Sequence, residues 1–563
     1  MKQMSLVHKI GTAIDVTRKG GITGLYSKFR EVSVRNAKRK REGKWIAAHG
    51  DFDAAARKTI ENKIGRLPRQ PLISVIMPVY NVDEIWLRKC VDSVRDQVYQ
   101  NWELCIADDR SPKPHIRSVL DEYSQLDHRI KVVYRETNGH ISAASNSALE
   151  MASGEFCVLL DHDDELTPDA LFWVADEMCR HPDVAMIYSD EDMIDDKGRR
   201  FDLKFKPDFS YDLLLSLNLV THLSAYRTEV LKKIGGFRVG LEGSQDYDLA
   251  LRVLDEIGAG RIRHIPRVLY HWRAIPGSVA LSGDEKPYAH DRARLAIREH
   301  LARCGISADV EATHFNLHRV RYRLPDTMPT ISLIVHGDGS TSYDERTRST
   351  GDGGVEVIRV SRDGEFAMRF NEAVERSSGE MVIFVDADLE PPVDWIRELV
   401  SVALQPGVGA VGAKVIDKNE RVIDGGLIIG GKQLFNVAHF GYPRNEPGNM
   451  CRNMIIGNFS AHSLSCLALR RVEFDAVGGF DTAFGGFFAS ADLCLRLGSA
   501  GKRIVHDPFV VMKLPKGKAL ARYPKASAAE EKTFVDRWSA VIAHDPFHNP
   551  NLQPQNGGCL IDI

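Results

Sequence analysis

Nowhere in the 563 residues does an apolar run approach the ~18–20 residues that span a bilayer. The N-terminus lacks the apolar core and cleavage site of a secretory signal. No C-x-x-C pair occurs, and the nine cysteines are odd in number and scattered. Cys105, Cys157 and Cys466 sit in apolar, strand-like runs. These absences argue against a disulfide framework and a thiolate metal site, and predict a reduced, cytoplasmic protein. Net charge is nearly absent, at -3, and no nucleic-acid partner is expected. The first apolar strand is not followed by a Gly-rich, Lys- or Arg-bearing phosphate loop; the chain there reads Pro78-Val79-Tyr80-Asn81.

What is present is too long for one core, so two or more domains are expected. The charge is unevenly placed. Met1 to Lys44 holds twelve Lys or Arg against three acids, and the rest of the chain is correspondingly acidic. Leu6, Ile10, Ala13 and Ile14 fall at helical intervals, Gly20-Gly21 interrupts them, and Ile22, Leu25, Tyr26 and Phe29 resume the stripe. Residues 1–70 are therefore read as a basic helical leader. Such a helix suits an anionic membrane surface, or docks on its own domain with a solvated basic face.

The stretch richest in chemistry is Cys157-Val-Leu-Leu-Asp161-His-Asp163-Asp164-Glu165. A short apolar run, a strand by its length, ends in a knot of carboxylates. Three acids within four residues repel one another unless a cation sits among them. The neutral alternative is a solvated acidic turn before the helix that Thr167-Pro168-Asp169 starts. Earlier strands, at 72–77, 103–107 and 131–134, alternate with helical patterns, which predicts a parallel, doubly wound α/β sheet. Three strand ends carry polar clusters, Tyr80-Asn81, Asp108-Asp109 and Asp161 to Asp164, and the loop Asn138-Gly139-His140 follows the strand at 131–134. Ligands of such sheets bind beyond the carboxyl ends of the strands. Helix capping is the plain alternative for Asp108-Asp109.

From Thr330 the order begins again. Ile331 to Val335 echoes 73–77, and Gly379 to Asp388 echoes Gly154 to Asp163. Val477-Gly-Gly-Phe480 echoes Ile234 to Phe237, and Asp492-Leu-Cys-Leu-Arg496 echoes Asp248-Leu-Ala-Leu-Arg252. Four echoes in one order predict a duplicated domain.

Pro78-Val-Tyr-Asn81, Asp108-Asp109, Asp161-His-Asp163-Asp164, Gly235-Gly236-Phe237, Gln245-Asp246 and His271-Trp272-Arg273, in this order, resemble the family 2 inverting glycosyltransferases of GT-A fold. The chain is similar to the tandem-domain bacterial type that builds O-antigen and other surface polysaccharides, often described as rhamnosyltransferases. The resemblance implies two tandem GT-A, Rossmann-like domains: a leader at 1–70, a catalytic domain at 71–305, a linker ribbon at 306–329, a second domain at 330–545 and a tail at 546–563. It implies a nucleotide-diphosphate sugar as donor and a growing, lipid-linked glycan or oligosaccharide as acceptor. The place of work would be the cytoplasm, or the inner face of the cytoplasmic membrane.

The resemblance also distributes roles. Pro78 and Tyr80 would wall the base, Asn81, Asp108, Asp109 and Asn138 would line the nucleotide site, and Arg273 would meet the diphosphate. Asp161 and Asp163 would hold Mn²⁺ or Mg²⁺, with Asp161 alternatively facing the ribose and His271 as a further ligand. Asp246 would be the general base. Local chemistry supports the types: a leaving diphosphate needs neutralising by a hard cation on carboxylates, and direct inversion needs a base on the acceptor hydroxyl. The second copy departs from the pattern, since Ser490 stands opposite Asp246 and no His-Trp-Arg recurs near 511–514. It is expected to be degenerate. The rivals are a bifunctional enzyme with two active domains and a non-catalytic glycan- or nucleotide-sugar-binding protein.

Overall fold

The computed structural model describes residues 38–50, 52–275, 287–337, 343, 354–361, 365–520 and 526–563. The helical stripe expected over residues 6–29 lies outside them.

The first sheet is built from β1 (Ile73–Val79), β2 (Trp102–Asp108), β3 (Ile130–Tyr134), β4 (Phe156–Leu159), β5 (Glu165–Leu166), β6 (Met186–Ile194), β7 (Arg200–Lys204), β8 (Ser224–Arg227) and β9 (Ile262–Arg273). Their order is β3-β2-β1-β4-β8-β6-β9-β5, with β7 beside β6. The four strands from β3 to β4 run parallel. β8 is antiparallel to β4 and β6, and β9 is parallel to β6.

The strands are apolar almost throughout because both faces are covered. Their period of two sends Val75, Met77, Leu104, Ile106 and Val158 to one face, under the helices Glu84–Arg95, Pro114–Leu126 and Ala170–Arg180. Ile76, Cys105, Ala107 and Cys157 point to the other, under His140–Met151 and Gln245–Ile257. Cys105, Cys157 and Cys466 are buried core residues, Cys304 is exposed, and none of the nine cysteines is disulfide-bonded.

The second unit repeats the order. Ile331–His336 lies between Val355–Val360 and Met381–Asp386, parallel to both. Cys466–Arg470, Val408–Ile416 and Arg503–Lys513 then continue outward as β8, β6 and β9 do. The polar joints repeat as well. Gly154 N–H donates to Ser74 Oγ at 2.9 Å, and Gly379 N–H to Ser332 Oγ at 2.7 Å. Asn146 exchanges two hydrogen bonds with the Phe237 backbone, and Asn371 does the same with Phe480. Gly236 and Gly479, one residue before those phenylalanines, both adopt positive φ, at 66° and 67°, which is why glycine recurs there. Arg252 is held on Asp248, and Arg496 on Asp492, at 2.8 and 2.7 Å. This is the tandem, doubly wound α/β architecture that the resemblance implied.

The two units share a core. Leu213, Tyr247 and Ile297 belong to the same cluster as Ile331, Leu333 and Val411. The ribbon between the units is an antiparallel hairpin, Ala308–Ala312 with His318–Tyr322, that contributes Val310, Val320 and Tyr322 to that core. Across the joint, Asn458 Nδ2 donates to Asp212 Oδ2 at 2.8 Å, and Arg503 Nε to the same oxygen at 2.8 Å. The C-terminal residues fold back on the first unit: Asn549 Nδ2 donates to Asp190 at 2.9 Å, and Leu552 and Ile561 pack with Trp45, Phe205 and Val268. The helix over 38–49 supplies Trp45, and the helix Ala54–Ile64 buries Ile60 in the first core. No helix of the described residues is long and apolar enough to cross a membrane.

Candidate active site

β4 is apolar and buried until Leu159, and the chain then leaves the sheet at Leu160, whose N–H donates to Ile76 O. The acids that follow part company. Asp164 turns inward, where its carboxylate accepts from Tyr270 OH at 2.5 Å and from Arg273 N–H at 2.7 Å. Burial, with the charges of Asp163 and Asp161 added, holds its carboxyl well above the usual range. Asp161 and Asp163 stay half-buried at the strand end, and among the described residues neither carboxylate has a cation within ion-pair distance. His162 donates Nδ1–H to Pro78 O at 3.1 Å, tying the acidic loop to the end of β1.

The nucleotide-side residues gather at the ends of β1 and β2. Pro78 is buried inside β1, and Tyr80 is 47% exposed just beyond it. Asn81 takes positive φ, and its N–H donates to Ser111 Oγ at 2.9 Å. Asp108 accepts from Ser111 N–H. Asp109 is buried and receives Arg135 Nε at 2.8 Å and Gly139 N–H at 3.0 Å, while Asn138 donates to Asp109 O at 3.0 Å. Neither acid caps a helix: Lys113 is the residue before Pro114–Leu126. Asp109 shapes the loop that presents the exposed Asn138.

Asp246 opens the helix Gln245–Ile257, one residue after its first position, where the positive end of the helix dipole faces it. Ser244 holds the N-cap position, so Asp246 is not a cap. Asn218 donates Nδ2–H to Asp246 Oδ2 at 2.8 Å. Burial raises the Asp246 carboxyl above its ordinary range, and the neighbouring Asp161 charge adds to this while His222 opposes it. The base candidate and the acid knot therefore face one cleft.

Two expected residues do not reach that cleft. His271 gives Nδ1 to Asp192 Oδ1 at 2.6 Å and lines a separate cavity. On β9 the alternation that turns Tyr270 toward Asp164 turns His271 to the opposite face. Arg273 is fully buried: its Nε donates to Asp163 O at 2.7 Å, its guanidinium pairs with Glu165 and lies 4.4 Å from the Trp86 ring. It braces the acidic loop from behind. The histidine beside the acids is His222, which comes with Asp161 and Asp164 within 4.8 Å, ligand atom to ligand atom. Its ring stacks on Tyr270 at 4.4 Å. Nothing in the sequence marks His222 or Asn218, because the loop Asn218 to His222 carries no motif spacing.

In the second unit the register aligns Asp386 with Asp161 and Asp388 with Asp163. Leu389 then stands for Asp164 and Ser465 for His222. Lys518 Nζ lies 3.0 Å from Asp388 Oδ1. Ser490, opposite Asp246, is buried.

Comparison with known proteins agrees with this duplication. The sequence model of one family, described as Glycosyl transferase family 2, matches residues 74–235 and 315–459. An uncharacterized protein, y4gI, of Sinorhizobium fredii is 39% identical over 530 residues, covering 87% of this chain and 58% of that protein. The O-antigen biosynthesis protein RfbC of Myxococcus xanthus is 32% identical over 553 residues, 90% of this chain and 42% of its own length. The chain thus spans about half the length of these relatives. A solved structure, S. aureus TarS 1-349 in complex with UDP-GlcNAc, covers 41% of this chain and 66% of its own at 22% identity and a TM-score of 0.34. With more than half of the chain matched in two segments, one on each sheet, the protein belongs to glycosyltransferase family 2 and carries the family's domain twice.

Proposed function

We propose that the chain transfers a sugar, with inversion, from a nucleotide diphosphate to a growing bacterial surface glycan, and that only the first unit is catalytic. The observation that carries this is the grouping of Asp246 with the acid knot: His222 lies with Asp161 and Asp164 within 4.8 Å, the charges of His222 and Asp161 act on Asp246, and among the described residues Asp161 and Asp163 make no ion pair. Those two hard oxygen donors, with no cation of the chain beside them among the described residues, suit Mg²⁺ or Mn²⁺. Such an ion would neutralise the leaving diphosphate.

The chain's own groups do the rest. Tyr80, Asn81, Asp108 and the Asn138 loop frame the nucleotide. Asn218 holds Asp246 Oδ2 and so orients the carboxylate that takes the acceptor hydroxyl proton. The acceptor oxygen bonds to the anomeric carbon as the bond to the diphosphate breaks, and the proton passes to Asp246. A carboxyl raised by burial is a stronger base than an ordinary one.

In the second unit, the Ser490 hydroxyl donates to the backbone Phe487 O rather than to a base, and Lys518 sits where the first unit leaves its acids open to a cation. We assign that unit a supporting role: it completes the shared core and positions acceptor glycan. A lipid-linked acceptor and a site at the inner membrane face fit the basic leader. The test is a nucleotide-sugar turnover screen with and without Mn²⁺, in which Asp246→Asn loses all transfer.

A further inference from the structure

A second cavity, of about 350 Å³, lies away from the transfer cleft, between the two N-terminal helices and the β9 edge of the first sheet. Its volume falls within the range of small-molecule sites, about 300–1,000 Å³. It contains none of Asp161, Asp163 or Asp246. The floor is aromatic: Trp45 and Trp173 are nearly buried, and Phe52 packs against the first core. The rim is cationic or protonatable, made by His49, Lys63 and Arg267, all exposed.

The charges on the rim are only partly offset by the chain, Asp169 and Asp176 acting on Arg267. Lys63 Nζ lies 4.7 Å and Arg267 Cζ 4.0 Å from the centre of the same Trp173 ring. Among the described residues neither has a carboxylate within ion-pair distance. The one acid in the cavity wall, Asp169, spends its oxygens inward, on Thr167 Oγ1 and Trp173 Nε1, each at 2.8 Å. Arg200, also in the wall, is already held by Asp192 at 2.6 Å. Two cations thus lie over one Trp173 ring, and among the described residues neither makes an ion pair.

We infer that this cavity binds an anionic saccharide, one pyranose ring carrying a carboxylate or a phosphate. The anion would meet the Arg267 fork and the Lys63 ammonium, the pairing in which charged hydrogen bonds are strongest. The choice of a sugar rests on the transferase reading; the requirement for an anion rests on the rim alone. The site would hold part of the glycan away from the reacting end.

Tryptophan fluorescence of the full chain tests this, because Trp45 and Trp173 line the cavity. The probes are glucose 1-phosphate, glucuronate, glucose and inorganic phosphate. A saturable change is expected with at least one of the first two, with neither glucose nor inorganic phosphate matching it. Lys63→Ala/Arg267→Ala should weaken it at least tenfold, and Trp173→Phe should diminish the signal. With no acceptor present, the double variant should hydrolyse nucleotide sugar at the wild-type rate, since neither residue lies in the transfer cleft. No response to any probe, an equal response to inorganic phosphate, an undiminished affinity in the double variant or a loss of its turnover would each overturn the inference. The first three leave the transferase reading standing; that reading fails separately, if Asp246→Asn remains active.

Discussion

Asn218 and Asp246, 28 residues apart, meet through a single hydrogen bond of 2.8 Å from the amide to one carboxylate oxygen. Asn218→Ala should remove that restraint without removing the base. A hydrogen bond to a charged group contributes about 1.5–3 kcal/mol, which predicts a fall of about 10- to 100-fold in kcat with KM for the donor little changed. Steady-state kinetics with saturating donor checks this. An unchanged kcat would remove Asn218 from the site.

The raised Asp246 carboxyl fixes the sign of two pH effects. As the proposed base it must be deprotonated, so kcat/KM should rise with pH through a value above that of an ordinary aspartate. A carboxyl raised in the folded state contributes stability at acidic pH that is lost as pH rises through its folded value. Asp246→Asn should therefore melt higher than wild type at neutral pH, and the gap should close on acidification. Differential scanning calorimetry across that range reads it without any assay of activity.

Beneath the cleft, Lys206 is buried and its Nζ lies 3.1 Å from Glu191 Oε2, while also donating to His222 O at 2.7 Å. Burial alone would raise the Glu191 carboxyl, but Lys206 and Lys204 draw it down to about 2. Lys206→Met leaves that charge without its main partner. A loss of about 3–5 kcal/mol in urea unfolding is expected, by analogy with other broken buried pairs. A loss below about 1 kcal/mol would show that the pair does not hold the His222 loop.

The basic N-terminal segment predicts a membrane effect. Full-length protein should co-sediment with anionic liposomes, more weakly at high salt, and a chain starting at Arg69 should not. Equal sedimentation of both would remove the leader from any membrane role.

Much of this was legible in the residues. The strands around Ile76, Cys105 and Val158 announced themselves as short apolar runs with polar ends, and the four echoes foretold the repeated sheet. Asp161 and Asp163 emerge where a strand end should put them. What was not legible came from contacts far apart in the chain. Asp164 is taken inward by Tyr270, 106 residues on. His271 and Arg273 looked like ligands because they neighbour each other in a motif, yet strand alternation and the buried bond to Glu165 give them other work. His222 and Asn218 lie in a loop without periodicity, so only the folded chain shows them beside the acids. The C-terminal residues read as a tail because nothing local marks Asn549 as the partner of Asp190.

The central claim is that one working site, the cleft of Asp161, Asp163 and Asp246, accounts for all transfer. It is tested most directly by measuring nucleotide-sugar transfer, with Mn²⁺ present, in Asp246→Asn and in Asp388→Ala. The account predicts that Asp246→Asn loses at least about 10²–10⁴-fold, down to background, and that Asp388→Ala retains wild-type turnover. Residual transfer in Asp246→Asn that disappears when Asp388→Ala is added would contradict it.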